Sequence, residues 1–266
     1  MFGAIAGDMI GSSREFRNPP IKTKDFPLFT PDSKFTDDSV ATAAIARAIL
    51  TDKDYGSNLH SLCRYYIYDP KGKEHDCGWG RSFYLWLISS NPTPYNSFGN
   101  GSAMRVSPVG WAFNTEEEVL KNAELSALPS HNHPEGIKGA QATALSIFMV
   151  RNGVSNEEIK SKISSMFGYD LNRTVDSIRP NYHFDVTCQG SVPESIICFL
   201  EATSYEDTVR NAVSLGGDTD TQAVIAGSIA EARWGVPDSI KEEVIKRLDD
   251  SLLQIVTEFE KAYIRR

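Results

Sequence analysis

"FTDDSVATAAIARAIL", residues 35–50, decides how the rest of the chain is read. Val40, Ala41, Ala44, Ile45, Ala48 and Ile49 recur at the spacing of one helix face, with Arg47 on another. The small residues permit close contact with a neighbouring helix. Similar Ala-rich runs fill 136–150 ("GIKGAQATALSIFMV") and 223–234 ("AVIAGSIAEARW"), and alternating, strand-like stretches are almost absent. The pattern predicts an all-α fold. Helices are expected over 2–12, 37–51, 57–67, 80–89, 101–112, 116–127, 134–152, 156–166, 191–203, 205–215, 219–234, 238–248 and 250–264.

Several of these helices announce their starts. Thr115 to Glu118, Ser155 to Glu158 and Ser191 to Glu194 match the capping box, in which a hydroxyl and a carboxylate each satisfy the other's free backbone amide. Pro193 is expected in the first turn of the third, where its missing amide costs nothing. Two long irregular segments remain, 13–35 and 167–190, and neither is low-complexity. Loops of that length in a compact domain are often functional.

With 266 residues, 41% of them hydrophobic, the chain is long enough for a substantial core and reads as one domain over 1–266. The net charge of −8 argues against general nucleic-acid or membrane-surface binding, because phosphates reward excess Lys and Arg. The opening "MFGAIAGDMIGSSREF" lacks a basic leader region, and Asp8 interrupts it short of a membrane-spanning length. Cys63, Cys77, Cys188 and Cys198 form no close pair of zinc or redox type. A cytoplasmic setting is expected.

Two acidic clusters stand at helix starts: Thr36, Asp37 and Asp38 in "FTDDS", and Asp218, Asp220 and Thr221 in "GGDTDT". Either alone reads as an N-cap, since these side chains accept from free amides and suit the positive helix end. Capping needs only one oxygen, however, so the surplus carboxylates call for a cation if they are desolvated together. The donors are all hard oxygens, which suits Mg²⁺, Mn²⁺ or Ca²⁺ and disfavours zinc. Whether the clusters meet is a matter for the tertiary structure. Gly216 and Gly217, just before Asp218, allow a sharp turn or end the preceding helix.

"NSFGNGSAMRVSPVGW", residues 96–111, joins a bare Gly-Asn-Gly backbone to a hydroxyl, a thioether and an arginine at a helix mouth. In isolation it reads as a turn followed by a buried Met. "SHNHPEG" reads as a helix entrance, because Pro134 suits a first helical position and no third zinc ligand lies near His131 and His133.

Five segments in order, 3–16, 35–50, 99–110, 130–148 and 215–235, resemble the ADP-ribosylglycohydrolases, including the dinitrogenase reductase-activating glycohydrolases. The resemblance covers most of the chain and includes both acidic clusters. It implies an all-helical fold with two divalent cations, Mg²⁺ or Mn²⁺, at helix N-termini. By position, Thr36, Asp37 and Asp38 resemble ligands from one side, and Asp218, Asp220 and Thr221 ligands from the other. Glu15 matches a glutamate beside the metals, and Asp76 in "EHDCGWG" resembles a carboxylate presented to the reacting sugar, or is a plain loop Asp. Gly99, Asn100, Gly101, Ser102 and Met104 are similar to a segment lining an ADP-ribose cleft, with His131 touching ribose or phosphate.

The implied reaction is cleavage at the anomeric carbon of an ADP-ribosylated acceptor: a protein side chain such as arginine or serine, or a small conjugate. The cations would align ribose hydroxyls and lower the pKa of a bound water, while Glu15 and Asp76 handle protons. A non-catalytic ADP-ribose or nucleotide reader, or a metal-dependent phosphoesterase, are the rival readings. "RPNYHFDV" adds Tyr182, His183 and Phe184 as ligand-stacking candidates or as loop packing.

Overall fold

The run Thr219–Trp234 folds into a helix whose residues from Thr219 to Glu231 are all buried. That stretch has no solvent face, which explains why its sequence mixes apolar and small polar residues without an amphipathic stripe. The computed structural model describes residues 1–68 and 77–264. In chain order the α-helices are α1 (Phe2–Ser12), α2 (Asp37–Leu50), α3 (Tyr55–Ile67), α4 (Arg81–Ile88), α5 (Gly101–Met104), α6 (Ser107–Ala112), α7 (Glu116–Ala127) and α8 (Pro134–Arg151). There follow α9 (Asn156–Phe167), α10 (Val175–Ile178), α11 (Cys188–Leu200), α12 (Tyr205–Val213), α13 (Thr219–Trp234), α14 (Asp238–Arg247) and α15 (Asp250–Phe259), which ends in a π-helical turn, Glu260–Ile264. Among the described residues there is no strand, only an isolated antiparallel bridge between Gly99 and Thr187. The fold is all-α.

Helix α1 lies antiparallel against α13, and its glycines set the distance. A Cβ at Gly7 would stand 2.2 Å from the Ala223 carbonyl oxygen, and one at Gly11 would stand 2.4 Å from the Asp220 Cα. Only hydrogen fits at either place. The Thr219 hydroxyl then donates to the Gly11 carbonyl at 3.0 Å, tying the start of α13 to the end of α1. This repeat of glycine every fourth residue was legible in the sequence but went unread there.

The irregular 13–35 segment is held by cations donating to backbone carbonyls. Arg14 donates to the Ile10 carbonyl at 2.6 Å, Lys22 to that of Tyr182 at 2.6 Å, and Arg210 to those of Lys24 and Phe26 at 2.8 and 2.7 Å. Arg14 and Arg210 both lie over the Phe26 ring. These bonds satisfy carbonyls that a loop cannot pair within itself.

Most helix ends fall within two residues of the sequence expectation, and three differences go beyond that. The helix expected over 101–112 divides into α5 and α6, because Pro108 has no amide to offer the Met104 carbonyl, which accepts instead from the Thr42 hydroxyl at 3.5 Å. Helix α11 begins at Cys188, not at Ser191: Thr187 is its cap, the Ser191 hydroxyl donates back to the Thr187 carbonyl, and Glu194 pairs with Arg173 at 2.6 Å. Pro193 consequently falls inside the helix. Of the other expected capping boxes, Ser155–Glu158 forms in full, and at α7 Thr115 accepts from the Glu118 amide. Helix α10 lies within the segment read as irregular. No helix among the described residues is long and apolar enough to cross a membrane.

The α1–α13 contact makes a direct prediction. Gly7→Ala forces a methyl into the Ala223 backbone and is expected to destabilise by about 1–3 kcal/mol, as overpacking does. Gly80→Ala, where nothing among the described residues lies within 4 Å of the added methyl, should stay within about 0.5 kcal/mol of the parent. Urea unfolding midpoints compare the two, and equal midpoints would rule out this packing.

Candidate metal centre and cleft

Asp8 organises the first cluster. It sits in the apolar α1, fully buried, and accepts from the Thr36 amide and hydroxyl, both at 2.8 Å, and from the Ser39 amide at 3.1 Å and its hydroxyl. Burial raises its pKa to about 6, and the hydrogen bonds from Ser39 and Thr36 oppose that rise. The first turn of α2 is thereby bound to α1. Thr36 is the N-cap, accepting from the Asp38 amide, and the Asp37 amide donates to the Cys77 carbonyl at 2.8 Å. The carboxylates of Asp37 and Asp38 are left for another task. One oxygen of Asp38 is buried without a hydrogen-bond partner among the described residues.

The second cluster stands at the start of α13. Asp218 occupies the N-cap position but makes no side-chain cap bond; its carboxylate accepts from the Asn100 amide at 2.7 Å. Asp220 accepts from the Thr221 amide at 2.9 Å. Because α1 packs tightly on α13, the segment leaving α1 delivers Glu15 here as well. Glu15, Asp218 and Asp220 each place an oxygen within 4.8 Å of the others.

The two clusters face each other across one cleft of about 780 Å³, in the size range of small-molecule sites. Thr36, Asp37, Asp38, Asp218, Asp220, Thr221 and Glu15 all line it. Their electrostatics are mutually unfavourable. Burial, then repulsion from Asp220, drives the pKa of both Asp37 and Asp38 well up, and burial with repulsion from Asp218 does so for Asp220. Burial followed by Asp220 pushes Glu15 to about 9, and burial pushes Asp218 to about 6. Desolvated carboxylates at these separations either hold protons or hold a cation. An oxygen-only donor set with an orphaned buried Asp38 oxygen fits hard divalent cations.

The remaining expected residues fall in different places. Gly99, Asn100, Gly101, Met104 and His131 line the cleft. Asn100 spends its amide group inside the protein, on Asp218 and on the Ser191 hydroxyl at 3.2 Å, so it braces the acidic cluster. Ser102 does not line the cleft: it is fully buried, and its hydroxyl donates to the Gly136 carbonyl at 2.7 Å, beneath the glycine loop. Met104 packs its sulfur 3.9 Å from the Thr221 hydroxyl. His131 is held by Ser130, whereas His133 caps α8 by accepting from the Glu135 amide. Asp76 lies outside the described residues. Tyr182 packs against Gly217 and donates to the Gly190 carbonyl at 2.7 Å, while Phe184 lines the cleft with its ring 5.6 Å from that of Phe16.

Two residues of the site went unread in the sequence. A lone Asp in an otherwise apolar helix is a signal for a buried charge with a task, and Asp8 is that signal. Arg105, 1% exposed and lining the cleft, gives no such warning, because an arginine after Met104 reads equally as a surface charge.

Comparison with known proteins identifies the family and the fold. The sequence profile of the ADP-ribosylglycohydrolase family matches residues 1–265. The chain is 26% identical to the ADP-ribosylhydrolase ARH3 of Mus musculus, over 89% of this chain and 84% of that protein. It is 22% identical to an ADP-ribosylarginine hydrolase of Pseudomonas putida, over 89% of this chain and 70% of that protein. A solved structure titled as an ADP-ribosylglycohydrolase-related protein complex superposes with a TM-score of 0.72 over 97% of this chain and 94% of that one, at 19% identity, and so shares the fold. The chain therefore belongs to the ADP-ribosylglycohydrolase family of glycosidic-bond hydrolases.

Proposed function

We propose that the cleft releases ADP-ribose from an ADP-ribosylated acceptor, a protein side chain such as arginine or serine or a small ADP-ribose conjugate, with two divalent cations, Mg²⁺ or Mn²⁺. The observation that carries this reading is the convergence of desolvated carboxylates from α2, α13 and the segment after α1 on one cleft lined by a Gly-Asn-Gly backbone. Thr36, Asp37 and Asp38 would hold the cations from one side, and Asp218, Asp220 and Thr221 from the other. Cations held there supply Lewis acidity and lower the pKa of water.

The chain's own groups do the rest. Gly99 and Gly101 keep this stretch of cleft wall free of side chains, so that the Gly101 amide can approach phosphate or ribose oxygens, while the Gly99 amide donates to the Ser97 hydroxyl at 3.1 Å. Met104 and His131 line the same wall. Glu15 moves the proton at its carboxyl oxygen, with Asp76 as the second carboxyl for that task. Water adds across the bond broken at the anomeric carbon, so the products are ADP-ribose and the unmodified acceptor. The continuous buried cluster from Met1 to Phe259 supports one domain over 1–266, and four buried free cysteines agree with a cytoplasmic setting.

Free ADP-ribose should appear from ADP-ribosylated arginine or serine substrates with Mg²⁺ or Mn²⁺ and not with chelator, and Asp37→Ala or Asp220→Ala should lower the rate about 100-fold or more. AMP or inorganic phosphate as product would identify a phosphoesterase instead. Asn100→Ala, which removes the brace on Asp218, should weaken metal affinity about 10- to 100-fold by calorimetry, and an unchanged affinity would deny it that role. Metal should raise the melting temperature of the parent, because it binds only the folded state. Asp220→Asn should lose that rise yet melt higher than the parent in chelator, since one repelling carboxylate is gone; a lower melting temperature in chelator would show that repulsion is not a cost to the metal-free fold.

A further inference from the structure

Arg105 is the largest fully buried side chain of the protein's described residues, and it faces the cleft. Its Nη2 donates to the Ser126 carbonyl at 2.9 Å and to the Ser130 hydroxyl oxygen at 3.0 Å. The guanidinium also lies over the Phe83 ring, 5.8 Å from its centroid. A guanidinium is a donor only, so the Ser130 oxygen must accept from it. Ser130 is itself fully buried, and its remaining partner among the described residues is His131 Nδ1 at 2.7 Å.

That arrangement leaves one economical placement of protons. If Nδ1 carried a hydrogen, the Ser130 oxygen would accept twice and its own hydroxyl proton would be buried with no acceptor. If Nδ1 is bare, the Ser130 hydroxyl donates to it, and both the Ser130 proton and the Nδ1 lone pair are satisfied, leaving Arg105 Nε as the group of this set without a partner among the described residues. The ring proton of a neutral imidazole then sits on Nε2. The Nε2 edge lies against the glycine loop: a Cβ at Gly101 would be 3.1 Å from it, and one at Gly99 3.6 Å. Burial and the neighbouring Arg105 charge both hold the His131 pKa well below its ordinary value, so the ring stays neutral.

We infer that Arg105 is a positioning residue: acting through Ser130, it holds His131 as the Nε2–H tautomer, so that the imidazole presents a fixed neutral N–H donor at the glycine loop. The ligand such a donor serves is an acceptor-only oxygen, a phosphate or ribose oxygen of the bound nucleotide, and this clause rests on the function proposed above. The arrangement explains why a full positive charge is buried beside the cleft without a carboxylate partner among the described residues. It does not ligate substrate; it decides which ring nitrogen does.

The test is a long-range ¹H–¹⁵N correlation spectrum of histidine-labelled protein, with His131→Asn to assign the signal. The parent should show a bare Nδ1 and a protonated Nε2 at His131. Ser130→Ala should lose that preference and bind ADP-ribose about tenfold more weakly by calorimetry, whereas Ser130→Thr, which keeps the hydroxyl, should retain both. A protonated Nδ1 in the parent, or an unchanged tautomer in Ser130→Ala, overturns the inference. The parent spectrum needs no substrate and no altered residue, so it judges the tautomer even if the hydrolase reading fails in the activity assay.

Discussion

The close antiparallel contact of α1 with α13 is the constraint on which the site depends. Gly7 and Gly11 let the two backbones approach to a distance that a methyl group would prevent. Three consequences follow from that one contact. The N-terminal end of α13, carrying Asp218 and Asp220, lies beside the C-terminal end of α1. The chain leaving α1 must then pass the cluster, which brings Glu15 to it. Asp8, one turn back along α1, reaches the first turn of α2 and fixes Thr36 and Ser39. Helix starts that are far apart in sequence thus become the two walls of one cleft.

The carboxylates gathered this way oppose one another, and the protein does little to relieve them. Capping duty, the usual reason for acids at helix starts, is carried by Thr36 at α2, and Asp218 makes no side-chain cap bond at α13. Raised pKa values through Asp37, Asp38 and Asp220 are the measure of that tension. Divalent cations bound as proposed would remove this repulsion as well as form new contacts. What supports the carboxylates is ordinary hydrogen bonding: Asn100 donates to Asp218, Thr219 to the Gly11 carbonyl, and Thr36 to Asp8.

Much of this was legible in advance. The all-α fold followed from helical spacing in runs such as 40–50 and 136–150, since a 3.6-residue period survives any tertiary arrangement. The acidic clusters were visible as more oxygen than a cap requires. Errors arose where a local motif met a competitor from elsewhere in the chain. Ser191 and Glu194 have the right spacing for a capping box, but Thr187 takes the cap and Arg173 takes the glutamate. Ser102 looks like a ligand beside Asn100, but α8 passes beneath it and the Gly136 carbonyl claims its hydroxyl.

The sequence by itself determined most of the helices and most of the oxygen-bearing residues that start them, α10 and the Thr187 cap of α11 excepted, because helix periodicity and capping are local, set by neighbours within a turn or two. Tertiary structure alone decided that residues 36–38 and 218–221 share a cleft, that Asn100 faces a carboxylate, and that a buried arginine stands behind His131. Those facts depend on how closely backbones pack across nearly two hundred residues of chain, a distance fixed by shape and burial and not by any local pattern.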